Sequence, residues 1–523
     1  MSPSPDRTPS QSALSFSRRE FIGSLVLGAA GVTALRPAAA APPQRAGADT
    51  MTEADFIDAR WIEHTYFLSR KLTQPERIPE PVIGPTPASA YGTVLPTADG
   101  LAMWYLAPYR RKGNEGPLYK KCVHYAVSKD GIAFDKPDLG LRTHEGSDEK
   151  NIILTQNEVD AQGHALNGAG GCSGFCVLDS TLVHVPHARG RYTAFYGAAP
   201  PGCGGGFCLA HSDDGLHWTA YPENPVRVGS SDTYNNMFYD DRSKRYVAYI
   251  RPTVHAGWSR VNREVGRVES EDMIHWGNDR VVLDTDERDA PGARDDAPKT
   301  SPRGRARQFY GMTVKPHQDI YLGFPQILED ESGLMWAELA HSYDGLDWRR
   351  ETLREPFIPI GAEGTWDCAM IGYTHAGCPI AVGDWWYVYY SGLNWDHHFR
   401  VRGLKERGRL RLIGAVRLKR GRLVGYHAGK CEGDLLTRRF KLDGSALFVN
   451  ADASRGQIVA AVCDERGKPL PGLSREECTP IRGDGLRLPV QFERGKSLRE
   501  LAGREVRLRI YLTSAAAFGL AFG

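Results

Sequence analysis

Two aspartates carry the chemistry that this sequence suggests. Asp232 stands in "SDTYNNMFYD" and Asp367 in "GTWDCAMIGY", each close to the start of a short run of β-formers. Two carboxyl groups that converge on one bond can divide the work of cleaving it. One donates a proton to the leaving oxygen, and the other attacks or activates water, as in glycoside hydrolysis. Burial would raise the pKa of the acid, and a nearby guanidinium, for which Arg251 is the candidate, would keep its partner ionised. Asn235, Asn236 and Tyr310 lie at comparable strand starts and offer hydrogen bonds to a polar substrate. Trp366 offers a flat apolar face to the CH groups of a sugar ring.

Residues so far apart in the chain meet only if a repeated architecture gathers them. "SDDGLHW" at 212 has relatives in "SKDGIAF" at 128, "SEDMIHW" at 270 and "SYDGLDW" at 342. In this heptad the Asp offers an acceptor to local amides, the Gly tolerates positive φ, and the final aromatic brings a large face to bury. Asp130, Asp214, Asp272 and Asp344 are therefore read as structural. Met273 replaces the Gly in the third copy, so a different turn is expected there.

Each heptad follows an aromatic, β-branched strand: "MWYLAPY" at 103, "RYTAFYG" at 191, "RYVAYIR" at 245 and "DIYLGFP" at 319. A fifth such strand, "WWYVYYSG" at 385, leads instead into "LIGAVRLKRGRLVGY". Ahead of each lies one more candidate strand: "AYGTVLP", "GFCVLD", "TYNNMFYD", "QFYGMTV" and "WDCAMIGY". Five units of three or four strands predict an all-β fold, a five-bladed β-propeller over residues 42–433, whose innermost strands converge at one end of the axis. A pair of β-sandwiches would explain the strands but not the repeat. Residues 434–523 alternate without the heptad and predict a C-terminal β-sandwich, expected to dock on the last blade.

The opening of the chain is of another kind. Arg18 and Arg19 precede the apolar "FIGSLVLGAAGVTAL", and "RPAAAA" then supplies small residues for cleavage. Residues 1–41 are expected to be a twin-arginine-type signal peptide, which places the mature chain outside the cytoplasm, periplasmic or extracellular. The apolar run is shorter than the roughly 20 residues of a membrane span, and no later segment is apolar enough to span. The 523 residues are 41% hydrophobic and 24% charged with a formal net charge of +2, which gives no electrostatic argument for nucleic acid or an anionic membrane. Ten cysteines lack the short spacing of zinc ribbons. Cys172 with Cys176 and Cys203 with Cys208 are the pairs that could form disulfides. His397 and His398 have no third ligand indicated, and no metal or cofactor is expected.

Taken together, the heptads, "YAVSKDGIAFDKPDLGL" at 125, "SDTYNNMFYDDRSKRYVAYIRP" at 231 and "GTWDCAMIGY" at 364 resemble the furanosidase-type five-bladed propellers of glycoside hydrolase families 32 and 43, in particular the exported family-32-like group. The resemblance implies an exported glycoside hydrolase acting on a furanoside or related glycan terminus. It departs from the family where catalytic residues are carried: "AYGTVLP" has no carboxylate, and Pro252 stands where the family's Arg-Asp-Pro motif has Asp. A non-catalytic glycan-binding propeller is the alternative, because binding needs polar groups and an aromatic platform but no paired acid and base.

Overall fold

The computed structural model describes residues 50–109, 120–144, 147–229, 233–252, 263–289, 307–351, 354–493 and 498–523. The expected signal segment and Asp232 lie outside them. Among the described residues the fold is nearly all β, with helical geometry confined to the 3-10 turns Glu287–Asp289, Lys405–Arg407 and Leu498–Leu501.

Five antiparallel sheets follow one another along the chain. Sheet I runs Ser89–Thr97, Gly100–Tyr109, Lys120–Ser128 and Ile152–Leu154; sheet II runs Ser173–Asp179, Tyr192–Ala198, Gly206–Ser212 and Thr219–Ala220. Sheet III runs Asn236–Asp240, Arg245–Ile250, Val265–Ser270 and Trp276–Leu283. Sheet IV comprises Arg307–His317, Ile320–Glu329, Met335–Ala337, Ala340–Ser342 and Trp348–Arg350. Sheet V comprises Met370–Thr374, Trp385–Leu393 and Arg411–Lys419, and its outer strand is Glu76–Arg77, from the other end of the chain. Met335 pairs in parallel with Met370 and joins sheets IV and V.

The first strand of each sheet turns an inner edge to its neighbours, and the amides and carbonyls along it need partners outside the sheet's own ladder. A side chain of the preceding sheet supplies them. Thr93 Oγ1 donates to Phe175 O at 3.0 Å and accepts from Val177 N at 2.8 Å. The Cys176 thiol does the same for Met237, donating to its O at 3.5 Å and accepting from its N at 3.4 Å. Asn236 Oδ1 accepts from Val314 N at 2.7 Å, and Thr313 Oγ1 donates to Thr374 O at 2.9 Å. The last step uses backbone alone: Ala376 N donates to Gly92 O at 3.0 Å and Val94 N to Ala376 O at 3.3 Å. These contacts return to sheet I.

The heptads fasten the same sheets farther out. In all four copies the Asp carboxylate accepts two backbone amides, at 2.8 Å from both Leu216 and His217 in the second. The carbonyl of the fourth residue then receives an aromatic donor from the preceding sheet. Trp104 Nε1 reaches Gly215 O, Tyr249 Oη reaches Gly345 O and Tyr389 Oη reaches Gly131 O, each at 2.8 Å. The third copy corrects the sequence reading, since Met273 keeps the same turn with φ of 68° against 76° at Gly215. The preceding sheet presents Phe195 there, which has no donor, and the Met273 side chain is fully buried in the apolar cluster that includes Phe195. That burial offsets the roughly 1–2 kcal/mol that a left-handed conformation costs a side-chain-bearing residue.

Residues 424–523 build a second sheet system, and the start of the described chain belongs to it. Ser69–Leu72 pairs with Val424–His427, Ile62–Tyr66 with Gly433–Thr437, Glu53–Asp55 with Ala516–Phe522, and Thr50–Met51 with Phe440–Leu442. The strands of residues 50–72 were expected with the repeat and pair instead with the C-terminal strands. The core of this system includes Met51, Ala54, Phe56, Val449, Val462, Leu508 and Ile510. All ten cysteines are free thiols, and neither candidate pair is bonded. Cys172, Cys176 and Cys208 are buried, and burial pushes the Cys172 and Cys208 thiols up to about 12.

Two measurements test the heptad. Gly215→Ala should lower the melting temperature more than Gly140→Ala. Both positions have positive φ, 76° and 61°, but a Cβ at 215 would lie 2.8 Å from the Trp104 ring, while at 140 it meets open space. Equal losses would show that the latch contact adds nothing. The second measurement is acid stability. At Asp130 the amides of Ile132 and Ala133 hold the carboxyl low. At Asp214, Asp272 and Asp344 burial acts to raise the pKa and is outweighed by the turn amides, with His217 and His275 adding to two of them. Each folded pKa lies below the unfolded value of about 4, so the stabilisation is complete above that pH and is lost as pH falls through the folded values. Thermal scans followed by tryptophan fluorescence should show stability declining below about pH 4, and Asp214→Asn should flatten the decline.

Candidate functional site at the axial mouth

The residues that cap the inner edges form one level of the axis. Thr93, Cys176, Asn236 and Thr313 lie directly across from Trp104, Phe195, Tyr249 and Phe324. His375, whose amide bonds Tyr389 O, occupies the same place in sheet V. Two residues nearer the strand starts come Tyr91, Gly174, Tyr234, Gly311 and Tyr373. The three tyrosine rings meet, with centroids 4.0 Å apart for Tyr91 and Tyr373, 6.3 Å for Tyr234 and Tyr373 and 6.4 Å for Tyr91 and Tyr234. Gly311 makes room for them, since a Cβ there would come within 3.1 Å of the Tyr373 ring. Register shifts occur at this level in four sheets, between Ser89 and Thr93, Ser173 and Cys176, Phe309 and Gly311, and Ile371 and Thr374. Such bulges re-aim side chains out of the regular pleat.

Tyr234 and Tyr373 are buried, and burial pushes their phenols well above the ordinary range, so both stay neutral. Tyr91 and Tyr310 are half-buried and lead outward. The Lys121 ammonium lies 5.4 Å from the Tyr91 ring centre and donates to Ser173 Oγ at 3.2 Å. The Arg251 and Arg263 guanidiniums lie 4.8 and 5.4 Å from the centre of the Tyr310 ring. Arg251 also donates to Tyr310 O at 2.6 Å, and Arg263 to Gln308 Oε1 at 3.0 Å. The His397 ring meets Tyr310 at a steep angle, with ring centroids 5.5 Å apart. All five sheets and their loops thus contribute to one mouth of aromatic faces, cations and amides. It can bind a polar, ring-shaped molecule with oxygen acceptors.

Of the residues expected from sequence, Arg251 and Tyr310 meet here. Asn235 is fully buried beside them in the chain. Its Nδ2 donates to Thr233 O at 3.1 Å, while Oδ1 has no hydrogen-bond partner among the described residues. Asn236 was expected to bind substrate, yet its Oδ1 is committed to Val314 N in the ring of capped edges. Asp367 and Trp366 stand apart. Asp367 is 1% exposed, and its carboxylate is held by an ion pair to Arg77, by Tyr390 Oη at 2.7 Å and by Thr365 Oγ1 at 2.9 Å. Trp366 stacks on Tyr390, with centroids 6.0 Å apart and planes 8° apart, within the apolar core. Both secure the strand Glu76–Arg77 to sheet V, because a buried carboxylate takes the nearest cation rather than waiting for a substrate. Among the described residues no group of three or more His, Cys, Asp or Glu could hold a metal ion.

Sequence reasoning missed Tyr91, Lys121, Arg263 and Tyr373. The signal for two of them was present. Aligned on their edge-capping residues, the inner strands read Tyr91-x-Thr93, Gly174-x-Cys176, Tyr234-x-Asn236, Gly311-x-Thr313 and Tyr373-x-His375, a pattern that singles out the tyrosines.

No family model matches the chain, and no curated protein matches it. Solved structures similar to it include an N-acetylgalactosamine deacetylase from F. plautii in complex with blood group B trisaccharide, at 16% identity over 67% of this chain and 95% of that one with a TM-score of 0.40. A glycosyl hydrolase from Bacteroides ovatus is similar at 15% identity over 67% and 95% of the two chains, TM-score 0.43. The same figures of 15%, 67%, 95% and 0.43 apply to a structure of the GH130 family of mannoside phosphorylases, said to contain glycoside hydrolases that target β-1,2 mannosidic linkages in Candida mannan.

The geometry separates two substitutions. Asp367→Asn should destabilise the fold by about 3 kcal/mol, the lower end of the cost of breaking a buried ion pair, because Arg77 keeps partial access to solvent. Arg251→Ala should change stability less and ligand binding more. Thermal denaturation of both variants checks this, and an Asp367→Asn protein as stable as the parent would free that carboxylate for another role.

Proposed function

We propose that this chain is an exported carbohydrate-active protein, a glycoside hydrolase that takes a furanoside or related glycan terminus at the axial mouth of a five-bladed β-propeller followed by a C-terminal β-sandwich. The observation that carries the reading is the convergence of Tyr91, Tyr310 and Tyr373, near the starts of the inner strands, with Lys121 and Arg251 from neighbouring strands. Tyrosine rings give a sugar its apolar platform, and Lys121 and Arg251 give its hydroxyls charged donors. Asn235 holds a buried amide oxygen ready for a donor. Asp232, next to this set in sequence, is the carboxylate proposed for the chemistry. Export rests on the arginine pair and apolar run ahead of residue 42.

A second reading, glycan binding without turnover, is favoured by one observation. Asp367, the other carboxylate expected for catalysis, is committed to Arg77, Tyr390 and Thr365. Hydrolysis would then need a different second carboxylate. The two readings part on sugar release by purified protein from a panel of glycans. Under the first, Asp232→Asn should lower the rate by about 100-fold or more, the usual worth of an acid or base in place, and Arg251→Ala should weaken substrate binding. Binding by the parent protein with no sugar released would establish the second.

A further inference from the structure

In sheet V the loop that joins Trp385–Leu393 to Arg411–Lys419 runs on the side of the mouth, because Leu393 pairs with Met370 at the start of the inner strand. Trp395 of this loop packs on the apolar cluster of Leu328, Met335, Met370 and Leu393 that also receives Tyr310, so the rim and the mouth are continuous. Phe399 stacks on Trp395, with ring centroids 5.5 Å apart and planes 14° apart. It combines two features that do nothing for folding: it is 63% exposed, and its φ of 65° lies in the left-handed region. At Met273 burial offsets that strain, and Phe399 has little burial with which to do so. The turn that imposes it is firmly built. Asp396, fully buried, accepts from His398 N at 2.9 Å, from Arg400 N at 3.0 Å and from the guanidiniums of Arg400 and Arg402 at 2.7 Å each. The same two guanidiniums donate to Ser332 O of sheet IV, at 2.8 and 3.0 Å. Strained backbone that its surroundings over-determine clusters where ligands are held. Arg409 lies 5.6 Å from the Trp395 centre and 5.4 Å from the Phe399 centre. That near-equality puts the guanidinium beside the stack and leaves the outer face of Phe399 open.

From these observations we infer that Trp395 and Phe399 form a second sugar subsite on the rim, where the unit next to the terminal one lays its CH face on the Phe399 ring and turns hydroxyls to Arg409. The inference rests on the carbohydrate reading above and deepens it. The substrate class becomes an oligosaccharide of two or more units, rather than a single glycosyl group on a small leaving group. An aromatic face gives such a unit apolar area to cover, and a ring presented by a turn already locked loses little freedom when it does so.

The test is calorimetric titration of the full chain with two neutral length series: methyl arabinofuranoside, arabinobiose and arabinotriose, and methyl fructofuranoside, inulobiose and inulotriose. Where sugar is released, kcat/KM replaces affinity. In at least one series the longer members should bind about tenfold tighter than the methyl glycoside, a gain of about 1.4 kcal/mol. Phe399→Gly should bring the longer members down to the affinity of the methyl glycoside without lowering the melting temperature, because glycine occupies the left-handed region freely. A packing role for Phe399 would not give that combination. Phe67→Gly is the matched control, since Phe67 is 67% exposed with a φ of 48° but lies in the turn between Ile62–Tyr66 and Ser69–Leu72, in the other sheet system. It should leave the length gain intact. Affinity independent of length, or a length gain that survives Phe399→Gly, overturns the inference and leaves the carbohydrate reading in place. No binding or cleavage of any member of either series overturns the furanoside reading itself, and the inference with it.

Discussion

The inner edge of a strand must find partners for its amides and carbonyls, and the first strands of the five sheets supply them to one another. Their satisfaction governs which residues the inner strands can carry. Thr93, Cys176, Asn236 and Thr313 differ in chemistry but share a short side chain with an atom that can bond a neighbouring backbone. Longer or purely apolar residues there would leave buried polar groups unmet, at a cost of about 1–3 kcal/mol each. His375 shows the limit of the rule. The Ala376 backbone serves the next edge in its place, and its imidazole is left without a hydrogen bond among the described residues, pushed down to about 3 by burial and therefore uncharged.

In three of the sheets one cross-strand pair works in two directions. The capping residue turns to the axis, and the aromatic opposite it turns to the next heptad: Thr93 with Trp104, Asn236 with Tyr249, His375 with Tyr389. Where that aromatic lacks a donor, as at Phe195, the next heptad has exchanged Gly for Met and hydrogen bonding for apolar burial. Sheets IV and V need no such latch because Met335 pairs directly with Met370. Only above the capped level do bulges release side chains from the ladder, and there Tyr91, Tyr310 and Tyr373 collect. The site occupies what the edge-capping leaves free.

Much of this was legible in the sequence. The heptads marked the sheets because Asp-Gly turns and their aromatics act within seven residues, and local chemistry shows in local sequence. Tyr310 was legible as a polar residue near a strand start, and Arg251 as the residue that ends the second strand of its unit. Asp367 and Trp366 were misassigned for a physical reason: the partner that claims them, Arg77, is almost the length of the repeat away, and nothing in "GTWDCAMIGY" announces it. The same holds for the strands of residues 50–72, whose alternation identifies strands but not the sheet they join. Met273 was misjudged because a positive φ was taken to require Gly, when burial of a flexible thioether in the right cluster also sustains it.

The strand Glu76–Arg77 gives the molecule its cooperativity. Arg417 grips Glu76 with two hydrogen bonds across 341 residues of chain. Closing a loop of that length costs conformational entropy that a two-residue strand cannot recover alone. It holds only with its neighbours Ser69–Leu72 and Ile62–Tyr66 docked at the same time, and these dock on strands from residues 424–437. Neither sheet system can therefore shed its share of the early chain without loosening the other. Unfolding of one is thereby tied to unfolding of the other.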